Sequence, residues 1–438
     1  MKSLFPADSL NPGVRGREVL GWAMYDFANS GYTTVVITAV FSAYFVGRVA
    51  QGADWATLAW TAALSLSYAV VMLTMPVLGA WADRHAAKKR LLMLITLGCV
   101  LATAAMGVVQ PGDVVLGLLL LVLSNTFYAW GESLTAAFLP ELARPEAMGR
   151  VSGWGWSLGY VGGMFTLALC LAYVLAAQAR GEPAAAFVPV TLLITAGIYG
   201  AAALVTFALL REHSAPQPSA LAASRGLGRH LAALRRTWRD AQPLADFRRL
   251  LACGVAYQAG VAVAIALAAI YAEQVVGFAP QETMVLIFVL NIAAFGGAFV
   301  FGYWQDRLGH RRTLAWTLVG WVLTCLLAAA STSKGLFWGA AVLAGLCLGS
   351  SQSAGRAMAG MMVPPHRLAE FFGLWAFATR LASILGPLTY GLITWVTGGH
   401  HRLAITVTAL MFVLGLWLLR GVDVARGQRM ALSVARPG

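Results

Sequence analysis

The chain contains the segment Gly79-Ala80-Trp81-Ala82-Asp83-Arg84-His85, followed by Lys88-Lys89-Arg90, and repeats its pattern as Gly302-Tyr303-Trp304-Gln305-Asp306-Arg307-Leu308-Gly309, followed by Arg311-Arg312. Each copy comes directly after a long apolar run. The glycine lets two helices approach closely. We expect the acid to lie near the start of the following helix, where the helix dipole favours negative charge. Because Asp-Arg occurs in both copies, the segment predicts a chain built from two similar halves.

Apolar runs long enough to cross a bilayer recur along nearly the whole chain. It has 438 residues, 59% of them hydrophobic and only 11% charged, a composition that excludes an ordinary soluble domain. Helical runs of about 20 apolar residues match a hydrocarbon core of roughly 30 Å, and their continuous apolar character argues against a β-barrel. We predict twelve spans, at residues 20–46, 57–80, 91–109, 113–139, 151–177, 186–210, 248–274, 283–304, 313–331, 336–361, 371–396 and 403–420.

The distribution of Lys and Arg predicts the orientation of these spans. If the N-terminus is cytoplasmic, most of the 31 basic residues fall in cytoplasmic segments, which is the bias that membrane proteins show. The predicted outer segments hold only Arg48, Arg180, Lys334 and Arg402. We therefore expect a multi-pass protein of the bacterial inner (plasma) membrane with both termini in the cytoplasm. The first apolar run is too long for a signal-peptide core, so we expect no cleavable signal.

The longest polar stretch divides the chain into two sets of six spans. We predict an N-terminal bundle at 1–211, a cytoplasmic linker at 212–246, a C-terminal bundle at 247–420 and a cytoplasmic tail at 421–438. The linker begins with a flexible Pro- and Ser-containing part. Its second part places Leu227, Leu231, Leu234 and Trp238 on one face of a basic amphipathic helix, which favours the membrane surface over nucleic acid. The net charge of +13 fits a membrane protein whose basic residues gather in its cytoplasmic loops.

Nothing in the sequence indicates a cofactor or a metal. The five cysteines lie inside apolar runs and are expected to be buried thiols. A Gly-x-x-x-x-Gly-Lys nucleotide motif, a Ser-His-Asp set and a His-x-x-x-His pair are all missing from the sequence. We therefore predict a protein that is not an enzyme, and that is a monomer whose partners are a small-molecule substrate, protons and membrane lipids.

The repeated segment resembles the signature of the major facilitator superfamily between helices 2 and 3 and between helices 8 and 9. The resemblance implies an all-α polytopic membrane protein with the major facilitator fold, in which twelve transmembrane helices form two six-helix bundles around a central cavity. It also implies a gating role for the two copies, carried by Asp83, Arg84, Asp306 and Arg307. The cavity would be lined by the first helix of each three-helix repeat, spans 1, 4, 7 and 10.

Further motifs resemble one branch of that superfamily, the fungal vacuolar (autophagy-related) amino-acid effluxers and their bacterial relatives. They include Tyr25-Asp26-Phe27-Ala28-Asn29-Ser30 in span 1, Pro140-Glu141 after span 4 and Glu370-Phe371-Phe372-Gly373 at the start of span 11. Two positions depart from the branch. The run Tyr257-Gln258-Ala259-Gly260 replaces Tyr-x-Asp-Gly, and Gly355 replaces the serine before Arg356. The substrate of the branch is therefore not carried over.

Polar side chains inside the spans are the candidate site residues, because ionisable groups at membrane depth are costly and tend to face a cavity. The ionisable ones are Asp26, Glu132, Arg356 and Arg380, with both acids in the first half and both arginines in the second. The neutral ones are Asn29, Asn125, Tyr128, Gln258 and Gln352. Tyr128 lies one turn before Glu132 and is placed to hydrogen-bond it.

Two roles stay open for the acids and arginines. They can bind protons and the charged groups of a substrate, or they can pair with each other and lock the two bundles as a gate. Glu132 is the better candidate for proton coupling, whereas a permanent pair with Arg356 or Arg380 would make Asp26 a gate residue. Outside the membrane, we expect Glu141 and Glu370 to contact Arg144, Arg150 or Arg367.

These observations predict a secondary active transporter that moves a small organic solute by alternating access and is coupled to protons. An amino acid, a peptide or another zwitterionic metabolite fits the mixed charges. A flippase for a lipid or lipid-linked glycan on the same fold is the alternative, and an integral-membrane enzyme is a weaker one.

Overall fold

Twelve long helices make up most of the chain in the computed structural model, which describes residues 5–51, 53, 55–214, 235–278, 280–397 and 400–434. Within these ranges the helices are α1 (Gly16–Tyr32), α2 (Ala56–His85), α3 (Lys88–Ala105), α4 (Val114–Ala136), α5 (Met148–Ala179), α6 (Ala184–Leu209), α7 (Ala245–Tyr271), α8 (Pro280–Leu308), α9 (His310–Ala330), α10 (Lys334–Met361), α11 (Leu368–Val396) and α12 (His401–Leu419). A short helix, α13 (Val424–Val434), follows α12. Most of the predicted linker helix lies outside the described residues.

Each predicted span coincides with one of the long helices. Within the described residues, eleven of the twelve are long and apolar enough to cross a membrane. The exception is the first span, because α1 continues into π-type turns at Thr33–Ala39 and Phe45–Val49, on either side of the short helix Phe41–Tyr44. π-type turns are rare and interrupt the regular α-helical hydrogen-bond pattern. The second bundle repeats this feature, since α7 ends in a π-type turn at Ala272–Val276.

The helices form two bundles, α1–α6 and α7–α12, and the start of α1 and the end of α12 lie on the same face. We call this the terminal face. The bundles meet along α2 and α11 and along α5 and α8. Glycines permit the close contact: a Cβ atom on Gly153 of α5 would lie 3.1 Å from the Cα atom of Gly302 of α8, and one on Gly373 of α11 would lie 2.8 Å from the Cα atom of Pro76 of α2.

The expectation that the repeated acids begin the following helix is wrong. Asp83 lies in the last turn of α2, and Asp306 lies in the last turn of α8. Each carboxylate instead accepts hydrogen bonds at the start of a helix in the other bundle. Asp83 accepts from the backbone N–H of Glu370 at 3.1 Å, and Asp306 accepts from Gly149 at 2.9 Å and Arg150 at 3.1 Å. The dipole still favours the acid, but it is the dipole of a helix across the interface.

The turn after Asp83 contains an unusual backbone conformation. Ala86 has φ 45° and ψ 51°, in the left-handed region that favours glycine. The second copy has Gly309 with φ 92° at the corresponding place, three residues after the acid. Both copies therefore have a positive φ three residues after the acid, and only the second copy has the residue type that adopts a positive φ without steric cost.

The predicted tail forms a helix that packs against the second bundle. Arg426 of α13 donates two hydrogen bonds of 2.7 Å to Asp246 at the start of α7, and Asp246 also accepts from the backbone N–H of Asp423 at 2.9 Å. A Cβ atom on Gly427 would lie 2.6 Å from the sulfur of Met362. The last part of the chain is therefore joined to the loop between α10 and α11.

Candidate functional site

Asp26 of α1 and Arg356 of α10 form a buried ion pair between the two bundles. The Arg356 Nη1 atom lies 2.7 Å from Asp26 Oδ2, and the two side chains are 7% and 11% exposed. Arg356 also donates from Nε to the Ser152 hydroxyl at 3.1 Å and from Nη2 to the Ser152 carbonyl at 2.8 Å. Its guanidinium lies 4.7 Å from the ring centre of Trp22 and 5.2 Å from that of Trp156. The ion pair is thus enclosed by Ser152, Trp22 and Trp156.

Gly155 leaves the space that this pair occupies. A Cβ atom at this position would lie 2.5 Å from Asp26 Oδ2, 2.6 Å from Arg356 Nη2 and 2.7 Å from the indole of Trp22. Such distances are too short for any side chain. Gly155 and Ser152 are residues of α5 that the sequence reasoning missed as members of the site. The Gly-rich run from Gly149 to Gly163 was the available signal.

Glu132 of α4 and Arg380 of α11 form the second ion pair between the bundles. The guanidinium of Arg380 lies 5.2 Å from the ring centre of Tyr68. The Glu132 side chain is 31% exposed and that of Arg380 is 13% exposed. The Nε atom of Arg380 is buried and has no hydrogen-bond partner among the described residues. This pair is therefore more accessible than the first and keeps an unused donor.

The neutral candidates bond mainly within their own bundle. Gln258 donates to Gln352 at 2.7 Å, which joins the two cavity helices α7 and α10. In the first bundle, Asn29 accepts from the Tyr199 hydroxyl at 2.7 Å. Asn125 donates to the Ser67 hydroxyl at 2.5 Å. The structure brings these side chains into the interior of each bundle, with Asn29 and Asn125 both buried.

Tyr128 has a different partner from the one we expected. Its hydroxyl accepts a hydrogen bond of 3.0 Å from Thr33, directly after α1, and its ring stacks on Tyr32 with 4.9 Å between centroids. Glu132, the expected partner, instead pairs with Arg380. Tyr128 therefore connects α4 to α1 within the first bundle rather than supporting the carboxylate.

The two copies of the repeated segment hold the bundles together near the terminal face. Asp83 also lies 3.6 Å from the buried Nζ atom of Lys88, and Asp306 lies 3.3 Å from the Nε atom of Arg150. Arg84 is half-buried and Arg307 is exposed. Lys88, which sequence reasoning treated only as a topology signal, is fully buried in the structure.

The loop acids confirm one expectation and contradict another. Glu370 accepts hydrogen bonds from Arg367 at 2.6 and 2.7 Å, as predicted. Glu141 pairs with Lys88 rather than with Arg144 or Arg150. Arg144 donates instead to the carbonyl of Leu10. The prediction failed because it considered only basic residues close to Glu141 in sequence.

The five cysteines are buried free thiols, as expected.

A family model described as vacuole effluxer Atg22 like matches residues 54–150 and 146–432. The chain belongs to the Atg22-like family. The uncharacterized MFS-type transporter YxiO of Bacillus subtilis is 27% identical over 411 residues, which cover 91% of this chain and 93% of YxiO. Autophagy-related protein 22-1 of Aspergillus niger is 27% identical over 220 residues, which cover 46% of this chain and 35% of the fungal protein.

Solved structures confirm the major facilitator fold for this Atg22-like protein. The human organic anion transporter MFSD10 (TETRAN) superposes with a TM-score of 0.73 at 16% identity, covering 92% of this chain and 99% of MFSD10. The transporter FucP, in its outward conformation, gives a TM-score of 0.69 at 14% identity, covering 93% and 98%. The protein is accordingly a multi-pass transporter of the major facilitator type and not an enzyme.

Proposed function

We propose that the protein is a proton-coupled secondary transporter of a small zwitterionic solute, such as an amino acid or a short peptide, that works by alternating access in the bacterial inner membrane. The observation that carries this proposal is the pair of interbundle ion pairs, Asp26–Arg356 and Glu132–Arg380. Both lie in the part of the helices near the terminal face. With the termini in the cytoplasm, this structure corresponds to a state closed towards the cytoplasm.

The two pairs are suited to different tasks. Asp26–Arg356 is buried and bonded on several sides, which suits a gate that forms in one state and separates in the other. Breaking such a pair requires hydration of both groups, so the closed state is favoured until the helices move apart. Glu132–Arg380 is more accessible, which suits a site that exchanges partners with a solute or a proton.

Proton coupling arises because a proton and a solute change the partners of the Glu132–Arg380 pair. A proton on Glu132 removes its negative charge and releases Arg380 to bind a solute carboxylate through its donors. A carboxyl group that is dry in one state of the cycle and wet in the other has its charged form penalised in the dry state. The affinity of the site for a proton then differs between the two states, which is the thermodynamic requirement for coupling.

Names of similar proteins support parts of this proposal. The family model is named for a vacuole effluxer, and a second FucP structure is described as a fucose:proton symporter of E. coli. MFSD10 is described as an organic anion transporter. These descriptions favour small solutes and protons, whereas the choice of a zwitterion rests on the acid and arginine of the more accessible pair.

The test compares proton-driven accumulation with exchange in proteoliposomes, using a mixture of isotope-labelled amino acids. Glu132→Gln should abolish accumulation under an imposed pH gradient while it spares counterflow without one. Asp26→Asn should impair both. Glu146→Gln, which changes an exposed carboxylate on a loop, should behave as wild type. Accumulation by Glu132→Gln in response to the gradient would show that the proton does not use this carboxylate.

A further inference from the structure

Two of the basic residues at the start of α3, Lys88 and Lys89, have partners within the chain. Lys88 pairs with Glu141, and the backbone N–H groups of Lys88 and Lys89 donate to the Glu212 carboxylate at 2.9 and 3.1 Å. The Lys89 Nζ atom donates to the carbonyl of Leu210 at 2.6 Å. Lys88 and Lys89 are therefore held by partners within the chain, whereas Arg90 and Arg211 beside them are exposed.

The corresponding edge of the second bundle keeps its charge. Arg311 and Arg312 begin α9, Arg420 follows α12, and all three are exposed. Among the residues that the structure describes, none of these three forms an ion pair with an acid. Linker residues 215–234 contain no Asp or Glu that could supply one. Asp423, close to Arg420 in sequence, accepts instead from the backbone N–H of Arg426 at 3.0 Å.

Exposed tryptophans place this edge at the boundary of the membrane. α9 and α12 pack together through Trp321 and Phe412, whose rings stack with 5.1 Å between centroids. On the outside of the same helices, Trp316 is 70% exposed and Trp417 is 64% exposed. They lie within about 8 Å, along the helix axes, of the arginines at the helix ends. Because tryptophan concentrates at the lipid–water interface, the arginines are at the depth of lipid headgroups.

We propose that the α9–α12 edge, defined by Arg311, Arg312, Arg420, Trp316 and Trp417, binds an anionic phospholipid. Guanidinium groups bind phosphate through paired hydrogen bonds, and the indoles pack against the glycerol and upper acyl region. A lipid fits better than a soluble anion because charge and apolar surface lie side by side. The matching edge of the first bundle also has exposed arginines, Arg90 and Arg211, but α3 and α6 contain no tryptophan that could lie beside them.

The test measures lipid binding to the purified full-length protein, so its result does not depend on transport. Phosphatidylglycerol and phosphatidylcholine are added separately in detergent, and binding is measured by native mass spectrometry and by the shift in melting temperature. Wild type should bind phosphatidylglycerol preferentially. The triple variant Arg311→Gln, Arg312→Gln, Arg420→Gln should bind it on the order of 100-fold more weakly, since each basic side chain near the surface contributes about fivefold.

A matched variant removes the same charge elsewhere. Arg17→Gln, Arg90→Gln, Arg211→Gln changes three exposed arginines of the first half and should retain lipid binding. If both triple variants lose lipid binding equally, net charge alone explains the effect and the proposal is overturned. Equal binding of phosphatidylcholine, or full competition by soluble glycerol phosphate at the same concentration as the lipid, would overturn it as well. Loss of binding in the α9–α12 variant alone would support it.

Discussion

Replacing Asp26 with Asn should weaken the closed state by an amount that the structure allows us to work out. The variant keeps an acceptor for Arg356 but removes the charge from a pair whose side chains are only 7% and 11% exposed. A hydrogen bond between charged groups contributes about 1.5–3 kcal/mol and a neutral one about 0.5–1.5 kcal/mol. Arg356 keeps both of its bonds to Ser152. The loss is therefore about 1–2 kcal/mol, which shifts a two-state equilibrium roughly 5- to 30-fold towards the open terminal face.

Distances between spin labels can measure this shift. Labels at the exposed positions His85 and Leu308, in a background without the native cysteines, report the separation of the two bundles at the terminal face. Asp26→Asn should increase the population of long distances. Glu132→Gln should shift the population less, by under about 1 kcal/mol, because Glu132 is 31% exposed and its pair is partly screened by water. An equal shift in both variants, or none in Asp26→Asn, would refute the assignment of the buried pair as the gate.

Three further predictions concern the interface, a turn and the topology. Asp83→Asn and Asp306→Asn should both slow transport of the labelled mixture without preventing insertion. The effect should be larger at Asp83, because this carboxylate also faces a buried lysine. Wild-type transport rates in both variants would show that the repeated segment only determines topology. Ala86→Gly should raise the melting temperature by roughly 1–2 °C. The positive φ strains alanine in the folded state by more than glycine loses in chain entropy on folding. A lower melting temperature in the variant would contradict this. Single cysteines at Glu146 and Gln110 should react with an impermeant maleimide from opposite sides of the membrane, and reaction of both from one side would overturn the twelve-span topology.

The spans could be predicted because continuous apolar length and charged loops are local properties of the sequence. The superfamily resemblance also followed from local pattern, since the Gly-x-Trp-x-Asp-Arg pattern occurs twice. Both acids and both arginines of the interbundle pairs were recognised as candidates for the same reason: charge within an apolar run is visible in the sequence.

Pairing of the acids with the arginines was one of the two open roles, but which acid pairs with which arginine could not be predicted because it depends on packing between distant segments. Asp26 and Arg356 are 330 residues apart in sequence, and Gly155 joins them only because α5 passes beside both. The hydrogen bond between Asp83 and the start of α11 was missed for the same reason. Local reasoning assigned the carboxylate to the helix that follows it in the chain, whereas the fold presents a helix of the other bundle to it.

The distribution of charge between the bundles bears on how a solute would bind once the interface opens. Both acids belong to the first bundle and both arginines to the second, so separating the pairs leaves one negative and one positive wall. On the proposed function, a solute with one charge would balance a single wall and leave the other group of the accessible pair without a partner, which is costly in a partly dry cavity. A zwitterion balances both, with its ammonium towards Glu132 and its carboxylate towards Arg380. The same arrangement explains how the empty carrier can close again, since each wall then serves as the counter-ion of the other.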